Sequence, residues 1–341
     1  MATIGASYLN LIDMYRNGGD VRAAETVEAL RRSSPAVKDA ITVEANRGTT
    51  HEHAIRTGLP AVTWGRLYQG IPQSKSARAM VVDTTGFVEG LSTVDERLLD
   101  ISPNAAAMRD GEATSFIESM TQEAETGIFY HDSASTPEKF KGLAARYNTV
   151  SGTAYANNVI DGGGTGSDNT SIWIVTWSEN ATHLIHPKGT KVGLQRTDRG
   201  SQRVTDTNGN AYYVKEEEFR WHLGLAVRDW RYNARVANID VSDIVAGTAA
   251  VLPKLRKAYH RIHGRIRATD MNDANASTNG RTVIYMNRTV YEALDAELTS
   301  ATLNTSLRLT PMQLEGEEVE AYRGIPIRVT DQLLNTEARV V

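Results

Sequence analysis

The chain has 341 residues, 40% of them hydrophobic and 23% charged, with 37 basic and 41 acidic side chains for a net charge of −4. At roughly 150 residues per domain this is room for two lobes with a sizeable core, which excludes disorder along the whole chain, and the acidic balance excludes a protein that holds nucleic acid by bulk positive charge. Cysteine is absent, which removes disulfide scaffolds, thiol nucleophiles, iron–sulfur clusters and thiolate zinc sites together.

The first 50 residues, with a Gly18-Gly19 break and two short apolar clusters, read as an extended arm carrying one short helix near Val21 to Arg32. From Pro60 to Glu89 the texture is that of strands: Val62, Trp64 and Tyr68 alternate on one face, Met80 to Val82 with Phe87 and Val88 follow, and Pro72 to Arg78 forms a polar, basic tip. An isolated hairpin is marginal in water, so this one needs a neighbour. Ser102-Pro103 opens a helix that Gly127 is expected to stop. Its stripe of Ala113, Phe116, Ile117, Met120 and Ala124 leaves Glu112, Glu118, Glu123 and Glu125 outside.

Thr170 to Asp240 reads as strands throughout, beginning with a run in which Trp173, Val175 and Trp177 share a face. Pro187-Lys188-Gly189 and Thr207-Asn208-Gly209 mark turns. Ser242-Asp243 caps a helical segment with Val251, Leu252, Leu255, Tyr259 and Ile262 inward, kinked or restarted at Pro253 and ended by Gly264. After the polar stretch Asp270 to Gly280 come a buried strand, Thr282 to Met286, an N-capping Asn287, a helix with Tyr291, Leu294 and Leu298 inward, and a last strand, Ile325 to Thr330. No apolar run approaches the ~18 residues that span a bilayer, and Met1 to Asn10 hold no Lys or Arg. A soluble, intracellular chain with no membrane partner is expected.

Motifs for chemistry are weak. Gly162-Gly163-Gly164-Thr165-Gly166 lacks the lysine and the following helix of a phosphate loop, so a flexible loop is the better reading. The pairs His51/His53, His183/His186 and His260/His263 each lack an evident third ligand. No nucleophile elbow occurs, so neither an enzyme nor a cofactor is expected, and no catalytic, cofactor or metal residue is assigned. Leu252 to Arg267 holds Lys254, Arg256, Lys257, Arg261, Arg265 and Arg267 without an acid. Lys254, Lys257 and Arg261 share a helix face, which reads as a solvated face or one paired with acids of another subunit before it reads as a phosphate contact.

Several stretches together resemble the major capsid proteins of tailed bacteriophages, of podophage type, with the HK97-like fold. They are the long helix Ala105 to Thr126 followed by Phe129-Tyr130 and Pro137-Glu138-Lys139-Phe140-Lys141-Gly142-Leu143; Val227-Arg228-Asp229-Trp230-Arg231-Tyr232 running into Arg235 to Asp240; Thr282 to Leu294; and Tyr322-Arg323-Gly324-Ile325-Pro326-Ile327 with Asp331. The resemblance implies an α+β, HK97-like fold. Its parts are an N-terminal arm (1–45), an extended-loop hairpin (46–90), a peripheral domain (91–145) with a spine helix (103–126), a β-rich segment completing that domain (146–240), an axial domain (241–317), and a returning strand with the C-terminus (318–341). Because the segment resembling Ile172 to Gln195 precedes the axial helices here, it also implies a reordered connectivity.

The function so implied is a shell subunit that self-assembles into hexamers and pentamers of an icosahedral head enclosing double-stranded DNA, assembled in the host cytoplasm and ending in the virion. The implied partners are other copies of the chain, a separate scaffold protein, a portal, a cement protein, and packaged DNA by weak contact only. The extended loop lies on a neighbouring subunit in this family, which makes Trp64, Tyr68, Lys75 and Arg78, with Lys254, Lys257 and Arg261, the candidate inter-subunit contacts. The family's archetype links subunits covalently through a lysine on this loop; Lys75 stands there by position alone, no matching Asn or Glu is found, and the reaction is expected to be absent. Two alternatives are a nucleic-acid-binding module using the basic helix 252–267 and an encapsulin-like nanocompartment shell.

Overall fold

The computed structural model describes residues 34–263, 280–299, 310–314 and 317–341, excepting the side chains of 298–299 and 310–319. The helix expected near Val21 to Arg32, the stop at Gly264 and the Leu298 side chain lie outside the described residues. The described chain opens with a short helix, α1 (Pro35–Asp39), and a strand, β1 (Thr42–Glu44). A hairpin follows, built by β2 (Thr50–Gly58) and the long β3 (Ala77–Asp95).

This places the hairpin's strands differently from the sequence expectation. Val62, Trp64 and Tyr68 are not in a strand; residues 59–76 form an open loop, and the paired partner of β3 is the polar run around His51-Glu52-His53. The reason is local. Gly58, Pro60, Gly65, Gly70 and Pro72 break the alternation, since proline supplies no ladder N–H and glycine holds strands poorly.

Asp95 caps α2 (Glu96–Ile101) by accepting from the Arg97 N–H. The long helix α3 runs Ala105–Tyr130, 26 residues or about 39 Å. It begins two residues later than Ser102-Pro103 suggests, because Ser102 ends α2 and Asn104 is the cap, its side chain accepting from the Ala107 N–H at 3.1 Å. It also runs through Gly127. That glycine is a packing residue: a Cβ there would meet the His131 ring at 2.6 Å and Phe140 at 2.9 Å. On the stripe, Ala113, Met120 and Ala124 are buried as expected, whereas Ile117 is 39% exposed and Glu125 is fully buried.

Strands β4 (Val159–Asp161), β5 (Asn169–Ser178), β6 (Thr182–His186), β7 (Leu194–Thr205), β8 (Ala211–Val227) and β9 (Ala234–Asp240) follow, with the expected turns at Pro187–Thr190 and Asp206–Asn210. Then come α4 (Val241–Val245) and α5 (Leu252–Arg261). They are separate helices: Asp240, not Ser242-Asp243, caps α4, and Pro253 sits in the first turn of α5 and so starts it. Strand β10 (Gly280–Met286), helix α6 (Arg288–Thr299), and β11 (Thr310–Leu314), β12 (Glu317–Tyr322) and β13 (Ile325–Val329) complete the chain. The Asn287 side chain accepts from the Thr289 N–H, as an N-cap does.

The strands join in the order β11-β12-β13-β10-β5-β6-β8-β3-β2, with β1 on β6, β9 on β5, β4 on β9 and β7 on β8. Strand β5 divides two apolar cores. Trp173, Val175 and Trp177 face α3 with Phe129, Leu143 and Tyr147, while Ile172 and Ile174 face α5 and α6 with Leu255, Tyr259, Val290 and Leu294. Alternation along β5 and β10 supplies both layers, Val283 and Tyr285 to the first and Ile284 and Met286 to the second.

Candidate assembly surfaces

The loop 59–76 joins β2 to β3 and is exposed along nearly its whole length among the described residues. Leu59, Val62, Trp64, Leu67, Tyr68 and Ile71 are all exposed, Trp64 at 99%. An open bend holds the tip: the Gln69 N–H donates to the Arg66 carbonyl at 3.3 Å and Tyr68 adopts φ of 63°, a left-handed conformation that bulky side chains rarely take. Six large apolar groups on one short loop exceed what a monomer leaves in water without a partner. The outward residues Met80 and Val82 extend the apolar surface onto β3.

Charge adds direction to this surface. Between His53 and Asp83 the chain carries Arg56, Arg66, Lys75 and Arg78 and no acid, in a protein whose net charge is −4. Lys75 and Arg78 are exposed beside the apolar groups. Trp64, Tyr68, Lys75 and Arg78 therefore belong to one projecting hairpin.

The basic helix is a second, separate surface. In α5, Leu252, Leu255, Ala258 and Tyr259 are buried against β9 and β4, and Arg256, Lys257, His260 and Arg261 are exposed on the other side. Lys254 parts from Lys257 and Arg261: it is half-buried and lines a small cleft with Gly162, Gly164, Asp240 and Asp243. Arg265 and Arg267 lie outside the described residues. In the glycine cluster, the Gly162 and Gly164 N–H groups donate to the Ala237 and Asn238 carbonyls, and a Cβ on Gly162 would meet the Asn238 carbonyl at 2.4 Å. These glycines let two backbones approach.

The histidine pairs resolve into different settings. His51 is buried against both His53 and His183 of β6, a grouping that the sequence does not announce because it crosses 130 residues of chain. His260 meets Arg323, and the His263 backbone N–H donates to Arg231. Among the described residues no group of three or more His, Asp or Glu is placed to hold a metal ion, and no described helix is long and apolar enough to cross a membrane.

Residues 18–341 match the family model of the major capsid protein GP7. Among solved structures, that of bacteriophage Epsilon15 is 32% identical, covers 100% of this chain and 99% of its own, and superposes with a TM-score of 0.72. The bacteriophage JBD30 capsid is 9% identical, covers 90% of this chain and 93% of its own at a TM-score of 0.50, a likeness of fold alone. No curated protein matches. A nucleic-acid-binding module and an encapsulin-like shell are accordingly not favoured. An α+β chain with a projecting apolar hairpin, matched to this family over nearly its whole length, belongs to the major capsid protein GP7 family: it is a structural protein of an icosahedral phage head, found in the virion, and not an enzyme.

Proposed function

We propose that the hairpin's loop 59–76 is the principal inter-subunit contact, laid across a neighbouring copy in hexamers and pentamers, with Trp64 and Tyr68 as apolar anchors and Lys75 and Arg78 as charged guides. The observation that carries this is the exposure of six large apolar side chains within a stretch, 54–82, that holds four cations and no acid. Each contact is modest, and closure of a shell multiplies many of them. The exposed face of α5, through Lys257 and Arg261, is a second contact, with acids of an adjacent copy as its partner; half-buried Lys254 contributes less than these two. In domain terms, 46–90 is the extended loop, 91–240 the peripheral lobe with α3 as its spine, and 241–317 the axial lobe. Around the shell we place a separate scaffold, a portal and a cement protein, with DNA held by weak contact only and assembly in the host cytoplasm. The chain's net negative charge supports this, since a strongly basic lining would retain the DNA it must release.

The test is assembly of the full chain with Trp64→Ser and Tyr68→Ser together. A folded subunit that no longer closes into shells under electron microscopy is expected, and normal shells would refute the assignment. Charge reversal at Lys257 and Arg261 is expected to impair shell formation and to leave DNA binding by the free subunit unchanged.

A further inference from the structure

The root of the hairpin holds a feature that assembly contacts do not explain. Strand β3 pairs with β8 from Asp95 back to Thr85, then leaves the sheet and pairs with β2 alone. The point of departure is tight: a Cβ on Gly224 would meet the Thr84 carbonyl at 2.8 Å and Ile185 at 2.8 Å. Just beyond it, His51 of β2 sits edge-on to His183 of β6, ring centroids 5.3 Å apart, and His53 follows at 6.2 Å from His51. All three rings are buried, and neither ring nitrogen of His53 has a hydrogen-bond partner among the described residues.

The charged groups facing the cluster come from four elements. Asp83 of β3 turns its Oδ2 toward His53 at 3.8 Å, while Arg146 of the loop after α3 holds its Oδ1 at 2.7 Å. Arg228, at the end of β8, faces the rings and, among the described residues, donates to the Glu179 carbonyl and the Asn180 side chain. An open cleft of about 660 Å³ borders His53, with Arg56, Arg228, Asp229 and Arg231 on its wall, and Asp229 is taken by Arg231. The rings thus have water at one side and cations around them, and the one carboxylate facing them among these neighbours is Asp83, through an oxygen that Arg146 leaves unbound.

We propose that this histidine cluster is a proton-operated hinge: uncharged, its packing locks the β2–β3 hairpin against the body, and protonated, it releases the hairpin to swing. The inference stands on the root of the hairpin alone and does not require that the loop contact a neighbouring subunit. Burial holds all three imidazoles below their ordinary value, His183 at about 4, and Arg228 pushes the same way, while Asp83 pulls His51 and His53 back upward without reversing the direction. Because the packed state rejects the proton, the lock is at full strength above pH 6.5 and weakens as pH falls through that value toward 4. For His183 alone, the ratio of released to locked hairpin rises about 30-fold from pH 7.5 to pH 5.

The chain has no cysteine, so Ala79→Cys on the hairpin and Glu138→Cys on the body accept spin labels selectively. Double electron–electron resonance is expected to give one distance at pH 7.5 and a growing second population at pH 5, and His183→Gln with His51→Gln is expected to abolish that growth. A distribution that is the same at both pH values, or an equal change in the histidine variant, overturns the hinge. Should the variant not fold, imidazole titration of the parent chain by NMR decides: a His183 value below 5 supports the hinge, and three values near 6.5 overturn it.

Discussion

Replacing Glu337 by alanine tests how the C-terminal segment is fastened to the body. Glu337 is buried, and its carboxylate accepts from Arg235 Nη2 at 2.8 Å, from the Ser171 hydroxyl and from the Tyr130 hydroxyl at the end of α3. Arg235 is equally enclosed: it donates to Ser171 at 3.0 Å and to the Tyr147 carbonyl at 2.9 Å, and its guanidinium lies 4.9 Å from the centre of the Trp173 ring. Removing the carboxylate leaves a guanidinium in the core without its counter-charge and two hydroxyls without an acceptor. Breaking a buried pair in this way costs about 3–5 kcal/mol, a large fraction of the 5–15 kcal/mol that holds an ordinary domain. Removing both charges with apolar replacements of similar volume, Arg235→Met with Glu337→Leu, restores most of that loss, because the desolvation cost of the ions disappears with them. Urea unfolding of the full chain, followed by tryptophan fluorescence, measures each difference. A Glu337→Ala chain within about 1 kcal/mol of the parent would refute the reasoning, as would a double variant no more stable than the single one.

Burial raises the Glu125 carboxyl to about 7, although it accepts from the Ala36 N–H and the Thr330 hydroxyl. A raised value means that the folded chain favours the proton, so this contribution is complete below the ordinary value of 4.5 and is lost as pH rises through 7, by about 3 kcal/mol in all. Glu125→Gln, which can accept from Ala36 and donate to Thr330, is expected to flatten that part of the stability profile in melts from pH 5 to 8; an unchanged slope would count against it. Gly280→Ala places a Cβ 2.1 Å from the Trp177 carbonyl and is expected to cost about 1–3 kcal/mol. Gly111→Ala in α3 meets nothing within 4 Å and is expected to gain about 0.5–1 kcal/mol of helix propensity. Thermal melting of the pair checks both signs.

Where one face of an element is buried along its length, local pattern sufficed. Trp173, Val175 and Trp177 form one layer as their alternation requires, and the capping role of Asn287 follows from its own side chain. The Trp64 and Tyr68 loop was legible as unsupported apolar chain, though not as a loop: the spacing of its apolar side chains suggests a strand, but five glycines and prolines interrupt the backbone that would have to pair. Glu125 illustrates the opposite failure. Its charge assigns it to solvent, yet packing of α1 and Thr330 against α3 encloses it, because a helix face is polar or apolar only relative to what covers it.

Composition, periodicity and the motifs resembling capsid proteins determined an α+β chain without sulfur chemistry, its long helix, its paired core strands and a hairpin that cannot stand alone. Only the tertiary structure decided that Ser171, Arg235 and Glu337 meet in one buried network, that three histidines gather where β3 leaves the sheet, and that Lys254 turns from the face it shares in sequence with Lys257 and Arg261. The difference is physical. Helix and strand periods act between near neighbours and can be read along the chain, whereas burial and charge pairing depend on contacts across 50 to 200 residues, which the chain acquires only when the sheet closes.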